Sequence, residues 1–191
     1  LVETLSQPQI TDPFEIMSPG EVQNIQLSKE QQGVVDTIQN TGKGFHPYLL
    51  HGVTGSGKTE VYLKLAQTTV EDEQSVLVLV PEIALTPQVA IRFRKAFGSR
   101  VALWHSRMTK AEKGWTWQQL KKGEYSVVVG ARSAIFAPLK NLGLIIVDEE
   151  QESSYKQENP APRYHARDVA MVRGKQANAI VLLTSATPCL E

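Results

Sequence analysis

Cysteine is almost absent from this sequence. Cys189 is the single one in 191 residues, so no disulfide can close within the chain and no cysteine-based metal site can form. The four histidines, His46, His51, His105 and His165, do not fall at metal-ligand spacing. Net charge is lacking as well. Twenty lysines and arginines balance twenty aspartates and glutamates, so no overall field draws the chain to a polyanion, and nucleic acid must be met by local patches. Long apolar runs are missing; the longest are strand-sized, which argues against a membrane-spanning helix, and no stretch has the build of a signal peptide. A reducing, cytoplasmic setting with no membrane partner is the expectation. What is present, 41% hydrophobic and 21% charged residues, is an ordinary globular balance in a chain long enough for one α/β core.

Residues 1–26 stand apart. They carry Pro8, Pro13, Pro19 and Gly20 with little periodicity, which reads as a linker or an extended arm from an upstream domain. From Leu27 the pattern alternates. Ser28 is placed to cap a helix to about Thr41, followed by a strand at 48–51 and a helix from Lys58 to about Gln67. An apolar strand at 76–80 stops at Pro81, and a helix from about Gln88 to Phe97 leads to a strand at 101–105. Thr109 and Glu112 form a capping-box signature for a helix to about Lys122. Strands at 126–129, 144–147 and 180–183 complete the set, with a polar loop and a helix from about His165 to Gly174 between the last two. Strands that are apolar at every position are buried on both faces. With helices between them they predict a parallel sheet covered on both sides. Ligands of such sheets bind at the carboxyl ends of the strands, so chemistry is expected just after Leu50, Val80, Val129, Val147 and Leu183.

The unusual residues cluster at those points. Gly52-Val53-Thr54-Gly55-Ser56-Gly57-Lys58-Thr59 matches the phosphate-loop pattern G-x-x-x-x-G-K-[ST] in full, with a strand before it and a helix after. Its glycines let backbone N–H groups face phosphate oxygens. Lys58 reaches the β- and γ-phosphates, Thr59 offers its hydroxyl to Mg²⁺, and the helix N-terminus favours the anion. Four apolar residues, Leu144 to Val147, then deliver Asp148 and Glu149 to the sheet rim, the arrangement of a Walker B strand. Asp148 is placed to hold Mg²⁺ and Glu149 to orient the attacking water. Thr184-Ser185-Ala186-Thr187 follows the last strand and is placed to link the acid pair to a neighbouring ligand. In Ser28-x-x-Gln31 the amide of Gln31 suits either an adenine edge or the helix cap. A phosphotransferase would use the same loop but calls for an arginine-rich acceptor lid, and the sequence shows none.

These strings resemble helicase motifs I, II and III. The segments between them narrow the likeness: Pro81 to Gln88, Ala131 to Pro138, Asp148 to Gln157 and Arg163 to Asp168 resemble the PriA family of superfamily-2 replication-restart DNA helicases. The resemblance covers residues 27–191 and departs from the family pattern at Gln151, where a histidine is common. It implies a RecA-like first helicase lobe of an ATP- and Mg²⁺-dependent 3′-to-5′ DNA helicase, with forked or single-stranded DNA as substrate. Primosomal proteins and single-stranded-DNA-binding protein are the implied partners, and the family's zinc site lies outside this chain. The second lobe, which supplies an arginine finger, is implied to lie elsewhere too, so the fragment alone is expected to bind nucleotide and hydrolyse it poorly. The implied DNA contacts are Thr86 and Gln88, Arg132 and Ser133, and Tyr155, Lys156, Arg163, Tyr164, His165 and Arg167 in the long loop, while Thr184, Ser185, Ala186 and Thr187 couple the sites. For Arg132 a salt bridge, and for Tyr155 and Tyr164 simple packing, remain the alternatives.

Overall fold

The computed structural model describes residues 25–42, 44–84 and 87–188. Nearly all of the expected arm at 1–26, together with Thr86, lies outside the described residues, as does the side chain of Gln88. Six parallel strands form one sheet in the order β1-β8-β5-β2-β4-β3. They are β1 (Pro47–His51), β2 (Ser75–Leu79), β3 (Val101–Trp104), β4 (Val127–Gly130), β5 (Leu142–Val147) and β8 (Ile180–Ser185). Every residue of β2 to β5 is buried, as expected of strands sandwiched between helices. β1 departs from that expectation. It is an edge strand with alternating exposure, and Leu49 stands 51% exposed.

Helices α1 (Lys29–Gln39), α2 (Lys58–Glu71) and α3 (Pro87–Phe97) cover one face of the sheet, with Val35, Val61, Leu65 and Phe93 packed on Val76 and Val78. The other face is covered by α4 (Lys110–Lys122) and α5 (Ala166–Ala177), with Leu120, Ala166 and Ala170 against Leu77, Ile145 and Val181. The two capping boxes form as read. The Ser28 hydroxyl accepts from the Gln31 N–H, and the Thr109 hydroxyl from the Glu112 N–H.

Boundaries differ where local residues mislead. α2 continues past Gln67 to Glu71, and the hydroxyls of Thr68 and Thr69 turn inward along it to donate to the carbonyls of Lys64 and Leu65. β5 starts at Leu142, running through Gly143, where a Cβ would come within 2.7 Å of the Gln74 side chain. Gly174 does not end α5. It is buried inside the helix, where a Cβ would meet Val181 Cγ2 at 2.2 Å, so the glycine brings helix and sheet together. The polar loop folds into a two-residue hairpin, β6 (Lys156–Gln157) with β7 (Tyr164–His165), in antiparallel register. The Gln157 amide gathers its tip by donating to the carbonyls of Pro160 and Pro162.

Candidate nucleotide site and the loop beside it

β1 ends at His51, and Gly52 N–H donates to the Ser185 carbonyl, which ties the phosphate loop to the end of β8. Gly55 and Gly57 adopt φ of +83° and +81°, left-handed values that glycine reaches without strain. Gly57 has a second reason to lack a side chain, since a Cβ there would stand 2.1 Å from Gln31 Nε2. No side chain caps the start of α2, so its first N–H groups are left to face the loop. Lys58 is buried. Its Nζ donates to the carbonyl of Gly52 at 2.6 Å and lies 3.8 Å from Glu149 Oε1, aimed along the loop toward the acid pair.

Asp148 and Glu149 follow β5 directly. Asp148 N–H donates to the Leu79 carbonyl, its Oδ1 accepts from the Thr184 hydroxyl at 2.5 Å, and its Oδ2 accepts from the Tyr62 hydroxyl at 3.3 Å. Burial pushes the Asp148 carboxyl above the usual carboxylate range; the Thr184 hydroxyl opposes that rise and the neighbouring Glu149 adds to it. Burial, and next the Asp148 charge, push the Tyr62 phenol up in turn, so it stays a donor. Glu149 sits at φ +48°, a left-handed value that is strained for a residue with a side chain and recurs at functional sites. Its Oε2 accepts from Gln151 Nε2, and Gln151 Oε1 accepts from the Ser185 hydroxyl at 2.6 Å. Thr187 N–H donates to Ser185 Oγ. In the segment at 184–187, Thr184 is bonded to Asp148 and Glu149 directly, and Ser185 reaches Glu149 through Gln151.

The cleft between these groups, about 340 Å³, is lined by Gly55, Lys58, Thr59, Asp148 and Glu149 among others. That lies within the usual size of a small-molecule site. The donor set fits ATP and Mg²⁺: a glycine cradle and one lysine for phosphates, and hard oxygen donors, Thr59 and Asp148, for the ion. Among the described residues no group of three or more histidine, cysteine or acidic side chains is placed to hold a metal. Gln31 takes the cap reading. Its Oε1 accepts from Ser28 N–H and its Nε2 donates to the Ser56 carbonyl, which leaves one donor and one acceptor of the amide for an adenine edge.

The residues expected on DNA divide into two groups. Tyr155 belongs to the core: it is fully buried and its hydroxyl donates to the Asp148 carbonyl at 2.6 Å, so it has no face to offer a nucleic acid. Arg132 donates to the carbonyls of Lys156 and Ser154, holding the loop in place, and among the described residues it meets no carboxylate. Ser133 accepts from Trp104 Nε1, which places that tryptophan in the core rather than on a stacking platform. His165 caps α5 through Nδ1, and burial holds its imidazole below the ordinary value. Tyr164 packs edge-on against Phe136 at 5.1 Å. Arg167 is paired with the buried Glu150 at 3.1 Å. Lys156 and Arg163 are exposed, and with Tyr164, His165 and Arg167 they line a second concavity of about 770 Å³.

Sequence reasoning missed Tyr62, Glu150, Gln151 as a bridge, and Arg92. The guanidinium of Arg92, on α3, meets Glu60 at 2.7 Å and lines the nucleotide cleft. Glu150 and Gln151 lie inside the Asp148–Gln157 string, where nothing marks their partners, and Tyr62 and Arg92 lie outside every motif. Tyr62 and Asp148 are 86 positions apart, so only the fold joins them.

Comparison with known proteins agrees with this geometry. The sequence model of the DEAD/DEAH box helicase family matches residues 28–191. The chain is 49% identical to the replication restart protein PriA of Chlamydia pneumoniae over 86% of its own length, and 56% identical to that of Synechocystis over 78%. With the PriA of Bacillus subtilis it shares 47% identity over 94%. It spans only 22%, 18% and 22% of the three relatives' lengths. Among solved structures, RecG bound to a three-way DNA junction matches 87% of the chain with a TM-score of 0.60 and 26% identity, the chain covering 22% of it. The Hef helicase domain of Pyrococcus furiosus, at 20% identity, matches in fold with a TM-score of 0.62, over 87% of this chain and 34% of that one. With a complete phosphate loop facing an acid pair on a six-stranded parallel sheet, the chain belongs to the DEAD/DEAH box helicase family.

Proposed function

We propose that this chain is the first ATP-binding lobe of a DNA helicase that moves 3′ to 5′ and acts at forked or single-stranded DNA during replication restart. The observation that carries the reading is convergence. Lys58 and the Asp148–Glu149 pair meet in one cleft, and the pair is bonded to Thr184 and, through Gln151, to Ser185. The likeness to PriA proteins supports the replication-restart part. In this reading Lys58 holds the β- and γ-phosphates, and Thr59 and Asp148 hold Mg²⁺, which neutralises charge on the phosphate oxygens when bound. Glu149 orients the water and accepts its proton, and Gln31 meets the adenine edge with the amide positions the cap leaves over. The exposed Lys156 and Arg163 meet the DNA backbone, and Thr86 and Gln88 are further contacts by the family resemblance alone. A second lobe supplies the arginine finger, and primosomal proteins and single-stranded-DNA-binding protein are partners of the full-length protein.

The test is unwinding by the full-length protein of two duplexes that differ only in the polarity of their single-stranded arm. Unwinding of the 3′-armed duplex alone, dependent on ATP, is the expected result. Unwinding of the 5′-armed duplex alone would overturn the polarity, and ATP turnover without unwinding of either would overturn the helicase reading.

A further inference from the structure

The peptide that joins Asp148 to Glu149 is held at both ends. Its carbonyl accepts from the buried Tyr155 hydroxyl at 2.6 Å, and its N–H donates to Thr184 Oγ1 at 3.4 Å. That peptide sets the left-handed turn at Glu149, and so the direction of the carboxylate that must orient water. Tyr155 is in turn held from outside. The Arg132 guanidinium donates to the carbonyls of Ser154 and Lys156, the residues on either side of Tyr155, at 3.3 and 2.8 Å. The same guanidinium lies 5.9 Å from the centre of the Tyr164 ring on the opposite arm of the hairpin. Both bonds come from one nitrogen, Nη1, which bridges the two carbonyls.

We propose that Arg132 is a positioning residue of the hydrolysis site: by fixing the backbone around Tyr155 it seats the phenol under the Asp148 carbonyl and so aims Glu149. The inference rests on the ATPase reading of the site, and it moves Arg132 from the DNA surface to the catalytic machinery. Displacement of reacting groups by about 1 Å is enough to cost up to about a hundredfold in rate, so loss of the clamp acts on turnover while leaving both ligands bound.

The experiment uses the full-length protein and the variants Arg132→Ala, Tyr155→Phe and the two combined. Tyr155→Phe keeps the ring that fills the core and removes only the hydroxyl, so it remains informative where Arg132→Ala fails to fold. ATP turnover with and without saturating single-stranded DNA, KM for ATP and DNA affinity by fluorescence anisotropy are measured. Both single variants are expected to lower kcat about tenfold or more, with KM and DNA affinity within about threefold of the unsubstituted protein. The double variant is expected to fall no further than the worse single one, because the two act on one peptide. Tyr155→Phe turning over normally would overturn the inference. So would Arg132→Ala losing DNA affinity about tenfold while its kcat at saturating DNA is kept. DNA-independent turnover in the unsubstituted protein would count against the helicase reading instead, and the clamp would still be judged on basal kcat.

Discussion

At the residue scale, contiguity decided what could be read. Lys58, Thr59, Asp148 and Glu149 stand in strings whose spacing is itself the chemistry, and the fold brings them to one cleft. Lys58→Ala in the full-length protein is expected to abolish ATP-driven unwinding while leaving single-stranded DNA affinity within about twofold, because it removes a phosphate contact only. An equal loss of DNA binding by anisotropy would show that the two sites are not separate. Thr184 makes the sharper case. It is fully buried, donates to Asp148 Oδ1 and accepts from Glu149 N–H. Hydrogen bonds to charged groups contribute about 1.5–3 kcal/mol, so the near-isosteric Thr184→Val is expected to lower kcat about tenfold or more. Unchanged turnover would mean that this segment touches the acids without serving them. For Tyr155 DNA contact and packing both stayed open, because an aromatic residue in a polar loop looks the same on paper whether it points out or in; the fold buries it. The sequence carries no sign of which backbone carbonyls will face it.

At the element scale, glycines and caps carry the testable content. Gly130 ends β4 where a Cβ would lie 2.4 Å from the Trp104 carbonyl and 2.6 Å from Ala134 Cβ. Gly130→Ala is expected to destabilise the fold by about 1–3 kcal/mol or more through that overlap. Gly33, inside α1 with nothing within 4 Å of its Cβ position, is the control; Gly33→Ala is expected to stabilise by about 0.5–1 kcal/mol. Chemical denaturation of both variants checks the pair, and equal effects would contradict the packing account. The pH dependence belongs to this scale too. Burial holds His165 and His105 below the ordinary imidazole value, so between about pH 6.5 and their folded values the unfolded chain takes up protons that the folded one refuses. Their contribution to stability is therefore full above about pH 6.5 and is lost as pH falls below it. Protonation of His165 Nδ1 also removes the acceptor for Arg167 N–H at the start of α5. Tm is expected to fall between pH 7.5 and 5.5, and less steeply in His165→Asn, which caps without titrating. An identical slope in the variant would contradict the assignment. Strand identities and the parallel class were legible from unbroken apolar runs. The short hairpin was not, since two-residue strands leave no alternation to read.

At the scale of the whole molecule, one face of the sheet is given to the nucleotide side, with α1, α2 and α3, and the other to α4, α5 and the loop that Arg132 holds. The acids sit where the two meet, at the ends of β5 and β8. The chain spans about a fifth of the length of the curated relatives it matches; in the proposed reading it is one lobe of a two-lobed motor. The isolated lobe is expected to bind ADP or ATP, seen by calorimetry, with turnover lower than that of the full-length protein by about a thousandfold, the scale of a missing arginine finger. Robust DNA-stimulated turnover by the lobe alone would contradict that division of labour. The most direct measurement for the central claim is ATP hydrolysis by the full-length protein, with and without forked DNA that carries a single-stranded arm. The account predicts strong stimulation by the fork, abolished in Lys58→Ala. Turnover indifferent to any DNA would contradict it and turn attention to a phosphotransfer reaction at the same phosphate loop.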